Sequence, residues 1–129
     1  LGMEEMTPLE PDSTEYRELS NYLIGSSGHT HGLRYRLQDI FRIERKGEHK
    51  RFETSKFAKL KDKDRRLLWH GSRTTNFGGI LSQGLRIAPP EAPVNGYAFG
   101  KGVYLADVSS KSANYCCAGM SGNVGILIL

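Results

Sequence analysis

The chain has 129 residues, 38% of them apolar and 25% charged, with a formal net charge of +4. That describes one small domain, long enough to bury a core and too short for two. No apolar run approaches the ~20 residues of a membrane-spanning helix, and the opening Leu1-Gly2-Met3-Glu4-Glu5 lacks a charged-then-apolar leader, so neither secretion nor a membrane partner is expected. A start on Leu1 in place of Met leads us to expect a piece of a longer protein.

Pro8 and Pro11 predict an irregular lead-in. Asp12 or Ser13 can cap a helix, with Glu15 three residues after Asp12, and Tyr16, Leu19 and Leu23 share one face of it. Gly25 ends that helix, and Gly25-Ser26-Ser27-Gly28 reads as a flexible turn. Leu33, Tyr35, Leu37, Phe41 and Ile43 alternate with polar residues, which predicts a half-buried strand with a bulge near Asp39.

From Glu48 to Leu60 the pattern predicts a charged amphipathic helix with Phe52, Phe57 and Leu60 inward. Leu67-Leu68-Trp69 reads as a short buried strand ending at His70. Phe77, Ile80 and Leu81 have helical spacing, with Gly84 suited to the left-handed position after a helix. Between Ala88 and Gly102, Pro89, Pro90, Pro93, Gly96, Gly100 and Gly102 forbid regular structure and predict a long, functional loop. Val103-Tyr104-Leu105 reads as a strand, and Ser110 as the cap of a short helix bearing Lys111, Ser112 and Tyr115. Val124 to Leu129 predicts a last apolar strand, cut in mid-course, whose bare edge would invite aggregation. The whole is an α+β pattern: a mixed or antiparallel sheet with short helices, without internal repeats.

Cys116 and Cys117 are the only cysteines. Adjacent cysteines seldom satisfy disulfide geometry, and no C-x-x-C or His at ligand spacing accompanies them, so two free thiols and no metal site are expected. Basic residues gather at 42–50 and 56–66, interrupted by acids. A solvated face explains them, and a phosphate-tracking stripe is the alternative.

His70-Gly71-Ser72-Arg73 falls where a strand leaves the sheet, a frequent place for ligand contacts. Gly71 admits close approach of a ligand to the backbone and offers one donor and one acceptor, the pair a carboxamide needs. Tyr104 and Tyr115, on a strand and the following helix, are able to flank a flat ring or to be two core tyrosines. Ser112, one turn before Tyr115, lies on the same helix face. Ser72, Asn76 and Arg86 are polar groups near loop junctions, suited to a ribose and a pyrophosphate or to ordinary surface. Spacing alone yields a pocket and no reaction.

The stretches Leu67 to Arg86 and Leu85 to Tyr115, with Ile80-Leu81-Ser82-Gln83-Gly84-Leu85-Arg86-Ile87-Ala88-Pro89-Pro90-Glu91-Ala92-Pro93 as the most specific run, closely resemble the catalytic domain of nuclear, DNA-damage-type poly(ADP-ribose) polymerases. Met6-Thr7-Pro8-Leu9 and Thr30-His31 resemble the opening of the same domain. The resemblance covers residues 1–129 and implies the N-terminal part of an ADP-ribosyltransferase fold.

It implies NAD as co-substrate and no metal. His70 would bond a ribose hydroxyl, Gly71 and Ser112 would grip the nicotinamide carboxamide, and Tyr115 would stack on the ring with Tyr104 closing the other side. Ser72, Asn76 and Arg86 would face the adenosine half, Tyr97 would border the donor site, and Lys111 would support transfer and elongation. The implied enzyme is a glycosyltransferase-class poly-ADP-ribosyltransferase acting in DNA repair in the nucleus. Acceptor proteins, itself included, would be its partners, and DNA would be reached through modules outside this chain.

Several features depart from the family. Its triad is His-Tyr-Glu, with His70 and Tyr104 present and the Glu expected on a later strand, so these residues alone are expected to be inactive. The regulatory helical subdomain that precedes this region in the family is not in the chain. Ala98 and Leu105 stand where relatives carry larger or aromatic residues. A non-catalytic NAD or ADP-ribose binding module, a mono-ADP-ribosyltransferase and a basic nucleic-acid-binding domain are the alternatives.

Overall fold

Ser13 opens the first helix as its side chain accepts a hydrogen bond from the Tyr16 N–H at 3.1 Å. The helix, α1 (Thr14–Gly25), turns Leu23 into the interior and leaves Tyr16 and Leu19 half-buried. The computed structural model describes residues 1–60, 65–88 and 98–129.

The lead-in is not irregular. Met3–Pro8 forms β1, which pairs antiparallel with β2 (Phe41–Arg45), Met6 opposite Ile43 and Pro8 opposite Phe41. Pro8 is tolerated because it closes the strand at a sheet edge, where its missing N–H costs no ladder bond. The predicted long strand shrinks to β2, since β1 supplies partners only for residues 41–45, and residues 32–40 carry no strand. The irregularity of register lies on β1 between Met3 and Glu5, not near Asp39.

The charged helix also stops early. Glu48–Thr54 forms α2, then Ser55 breaks into the extended region and its hydroxyl caps a short 3₁₀ turn, Lys56–Lys59. Phe52, Phe57 and Leu60, predicted inward, are exposed. Arg65 and Lys56 cover the Phe52 and Phe57 rings at 5.2 Å, so cations take the place of core contacts.

His70–Ser72 is β3, paired antiparallel with β4 (Ile126–Ile128). The predicted strand at Leu67–Trp69 is thus shifted: Leu67 is exposed, and Trp69 enters only as an isolated antiparallel bridge to Ala106. Val103–Leu105 forms no strand either: the bridge falls on Ala106, one residue beyond it. Phe77–Gln83 is α3, closed by Gly84 at φ +80° as its spacing predicts, with the Gly84 N–H bonded to the Ile80 carbonyl at 2.7 Å.

Arg45 ties the two sheets' neighbourhoods together. Its guanidinium donates to the last-turn carbonyls of α3, Leu81 at 3.2 Å and Ser82 at 3.1 Å, and pairs with Glu48. A cation at the C-terminal end of a helix suits both the unpaired carbonyls and the dipole.

The last helix, α4 (Ser109–Ala113), begins one residue before the predicted cap, so Ser110 lies inside it and caps nothing. Leu23, Trp69, Phe77 and Cys116 are the buried apolar residues among those described, and Ser109, Ser110 and Ser112 are buried with them. This small core joins α1, β3 and α4, and Tyr22 stacks on Trp69 with ring centroids 5.3 Å apart. The architecture is α+β, helices packed beside two small antiparallel sheets.

Candidate functional site

Trp69 and Ala106 exchange backbone hydrogen bonds of 2.7 and 2.9 Å. Backbone groups alternate along an extended chain, so His70 and Ser72 turn theirs to the opposite edge, toward Ile128 and Ile126 of β4. Gly71 then directs its own N–H and C=O to the edge facing the 103–106 segment. No turn, loop or cap hydrogen bond among the described residues takes either group. The donor and acceptor expected of Gly71 are thus aimed at one place.

The other face of Gly71 is closed by α4. A Cβ built there would stand 1.9 Å from the Ser112 carbonyl oxygen and 3.1 Å from the Cys116 sulfur. Only glycine permits this approach of β3 to α4. Ser112 is buried, and its hydroxyl donates to the Trp69 carbonyl at 2.8 Å, keeping its lone pairs available as acceptors.

His70 is half-buried and its Nδ1 lies 2.9 Å from the Tyr104 carbonyl oxygen. A carbonyl only accepts, so Nδ1 carries the hydrogen and Nε2 of the neutral ring is left as an acceptor. The Tyr104 hydroxyl donates to the Gly100 carbonyl at 2.6 Å and accepts from the Phe99 N–H at 3.1 Å, which fastens the 98–102 turn to the ring. His70, Gly71, Tyr104 and Ser112 therefore form one connected group.

The remaining candidates stand around it less closely. Tyr115 belongs to a 3₁₀ turn, Asn114–Cys116, after α4 and not to the helix itself, and the residue is 53% exposed. Its ring does not stack on Tyr104; the one ring pair among the described residues is Tyr22 with Trp69. Lys111 lies exposed on α4. Asn76 donates to the Ser72 hydroxyl at 2.9 Å, joining these two, whereas Arg86 is bonded to Gln83. Tyr97 lies outside the described residues.

The sequence predicts Cys116 to be a free thiol and gives it no place at the site. It is buried behind Gly71, and its thiol donates to the Ile126 carbonyl at 3.2 Å; burial pushes its pKa up from the ordinary 9.0. Cys116 and Cys117 are both free. A cleft of about 230 Å³ opens on this side, lined by Arg73, Thr74, Thr75, the two cysteines, Met120 and Ser121, and it does not include Tyr104 or Tyr115. Its one sequence signal is the i, i+4 spacing of Ser112 and Cys116, which puts both on the face that meets β3.

Among the described residues no helix is long and apolar enough to cross a membrane, and no three His, Cys, Asp or Glu side chains gather as a metal site would require.

Comparison with known proteins gives this arrangement its relatives. Residues 13–129 match the poly(ADP-ribose) polymerase catalytic domain. The chain is 55% identical over 126 residues to poly(ADP-ribose) polymerase 2-B of Oryza sativa subsp. japonica, covering 97% of this chain and 20% of that protein. It is 56% identical over 126 residues to poly(ADP-ribose) polymerase 2 of Zea mays, covering 97% and 19%. With poly(ADP-ribose) polymerase 1 of Gallus gallus the identity is 53% over 123 residues, covering 94% and 12%. The chain thus spans about a fifth or less of the length of these relatives, and it belongs to the poly(ADP-ribose) polymerase catalytic domain family.

Proposed function

We propose that the protein containing this chain is an NAD-dependent poly-ADP-ribosyltransferase of ADP-ribosyltransferase fold, working in the nucleus in DNA repair. The observation that carries the reading is Gly71. Its N–H and C=O point together at the Tyr104 edge while α4 closes the other side. A primary carboxamide, one donor and one acceptor on a flat ring, is the ligand chemistry that such a pair suits.

In this reading the nicotinamide carboxamide lies against Gly71 with the Ser112 hydroxyl as a further acceptor. The exposed Tyr115 ring stacks on the nicotinamide, and Tyr104 closes the opposite side. His70 Nε2, left as an acceptor by the bond from Nδ1 to Tyr104, takes a ribose hydroxyl. Ser72 and Asn76, already bonded to one another, serve the adenosine half with Arg86, and Tyr97 borders the donor site. Lys111 supports transfer to the acceptor.

The reaction breaks the bond between nicotinamide and ribose through an oxocarbenium-like state, and a protein carboxylate or an ADP-ribose hydroxyl attacks the ribose carbon. Orientation and electrostatic stabilisation of the developing cation supply the rate. A glutamate on a later strand completes the triad by resemblance, so the test belongs on the full-length protein. Acceptor proteins, itself included, are its substrates, and DNA reaches it through other modules.

The test is NAD labelled separately in the nicotinamide and adenine moieties. The reading expects free nicotinamide together with adenine label on protein, as a ladder of polymer. A single transferred unit makes the enzyme a mono-ADP-ribosyltransferase. NAD bound without nicotinamide release makes it a binding module and overturns the enzymatic reading.

A further inference from the structure

The turn after α1 holds both walls of this site, and it does so through one small residue. Ser26 terminates α1 at φ −91°, ψ 6°, with its N–H bonded to the Tyr22 carbonyl at 3.0 Å. Its hydroxyl accepts from the Trp69 indole Nε1–H at 3.0 Å. Its carbonyl accepts from the Ser109 N–H, at the start of α4, at 2.9 Å. Trp69 immediately precedes His70-Gly71, and Ser109 precedes Lys111 and Ser112 by two and three residues. One residue, 43 positions from Trp69 and 83 from Ser109 in the chain, thus bonds the elements that carry both halves of the proposed carboxamide grip.

Neighbouring bonds make this joint stiff. The Ser109 hydroxyl donates to the Leu23 carbonyl at 2.7 Å and, its own hydrogen being used, accepts from the Tyr35 hydroxyl at 3.2 Å. The Ser110 hydroxyl accepts from the Gly28 N–H at 2.8 Å and is also bonded to His31 Nδ1. Ser109 and Ser110 are fully buried, and Trp69 is only 6% exposed. Buried polar groups satisfied in this way fix a geometry, because each alternative arrangement leaves a donor unpaired.

We infer that Ser26 is a positioning residue for the NAD site: it touches no substrate, but sets the spacing of β3 and α4 on which the Gly71–Ser112 contact depends. The inference rests on the proposed transferase reading. The loss of the Ser26 hydroxyl strands the Trp69 Nε1–H, lets Trp69 shift, and misplaces Gly71 relative to Ser112. Binding of NAD suffers while the groups that act on the ribose stay in the chain.

The experiment uses the full-length protein with steady-state kinetics in NAD and with nicotinamide as a product inhibitor. Ser26→Ala is expected to raise KM for NAD and the nicotinamide inhibition constant together, roughly tenfold, with kcat within about twofold. Ser26→Thr, which keeps a hydroxyl on the same carbon, is expected to restore both.

Trp69→Phe removes the donor while keeping a ring against Tyr22, so it provides a second variant should Ser26→Ala fail to fold. Trp69→Phe alone is expected to raise KM, and Ser26→Ala in that background to add little, the non-additivity of partners in one bond. An active wild-type protein whose Ser26→Ala and Trp69→Phe variants keep the wild-type KM overturns the inference alone. Failure of Ser26→Thr to rescue, or equal losses in KM and kcat, overturns it as well. A wild-type protein that releases no nicotinamide from NAD overturns the functional reading first.

Discussion

The Ser112 carbonyl oxygen occupies space that a side chain on Gly71 would need, 1.9 Å from the position of a Cβ. The contact is backbone against backbone, so no rotamer change relieves it. Gly71→Ala is therefore expected to separate β3 from α4, costing at least about 3 kcal/mol of stability and abolishing nicotinamide binding. Thermal denaturation with and without nicotinamide checks both; an alanine variant of wild-type stability contradicts the packing described.

His70 separates holding from binding. Asn in its place retains an amide donor near the Nδ1 position for the Tyr104 carbonyl but loses Nε2. His70→Asn is expected to keep stability within about 1 kcal/mol while weakening NAD binding roughly tenfold. His70→Ala is expected to lose both, and calorimetric titration beside a denaturation curve distinguishes the two.

Tyr115 offers the opposite contrast to Gly71. With the residue 53% exposed, Tyr115→Ala is expected to change stability by no more than about 0.5 kcal/mol. The proposed stacking on nicotinamide, in contrast, is worth about 0.5–1.5 kcal/mol, a loss of about two- to tenfold in affinity. Equal affinity of the variant and wild type for nicotinamide removes Tyr115 from the site.

Cys116 makes a prediction for pH. Burial raises its thiol pKa above the ordinary 9.0, so the folded state keeps a proton that the unfolded state releases. Its contribution to stability is full below that value and is lost as pH rises from there through the folded pKa. Cys116→Ser is expected to flatten that alkaline decline, and in the native protein the half-exposed Cys117 is expected to alkylate before Cys116. Faster alkylation of Cys116 contradicts its burial behind Gly71.

The parts legible in the sequence are those whose signals are local. Ser13 caps the start of α1, Gly25 is its last residue with Ser26 as the cap, and Gly84 closes α3, because capping depends on neighbours within a turn. β1 is not legible in the sequence, because Met3-Glu4-Glu5-Met6 has weak strand character and is made a strand by β2, more than thirty residues away. The alternation from Leu33 to Ile43 looked like one strand, yet a strand is only as long as its partner, and β1 ends at Pro8.

At the site, His70, Gly71, Tyr104 and Ser112 were all named from the sequence. The i, i+4 spacing of Ser112 and Cys116 puts both on one face, but that this face meets Gly71 depends on how α4 packs on β3, which no spacing within either segment encodes. In the sequence Ser26 reads as part of a flexible turn, because Ser and Gly next to one another are ordinary turn composition. Its partners Trp69 and Ser109 are distant in the chain, so its anchoring was invisible.

A crystal structure of the full-length protein with nicotinamide tests the Gly71–Ser112 grip itself. The carboxamide is expected to be bonded to the Gly71 N–H and C=O, with the Ser112 hydroxyl in contact with it and the ring against Tyr115. Nicotinamide bound elsewhere, or bound here with Gly71 out of reach, would contradict it.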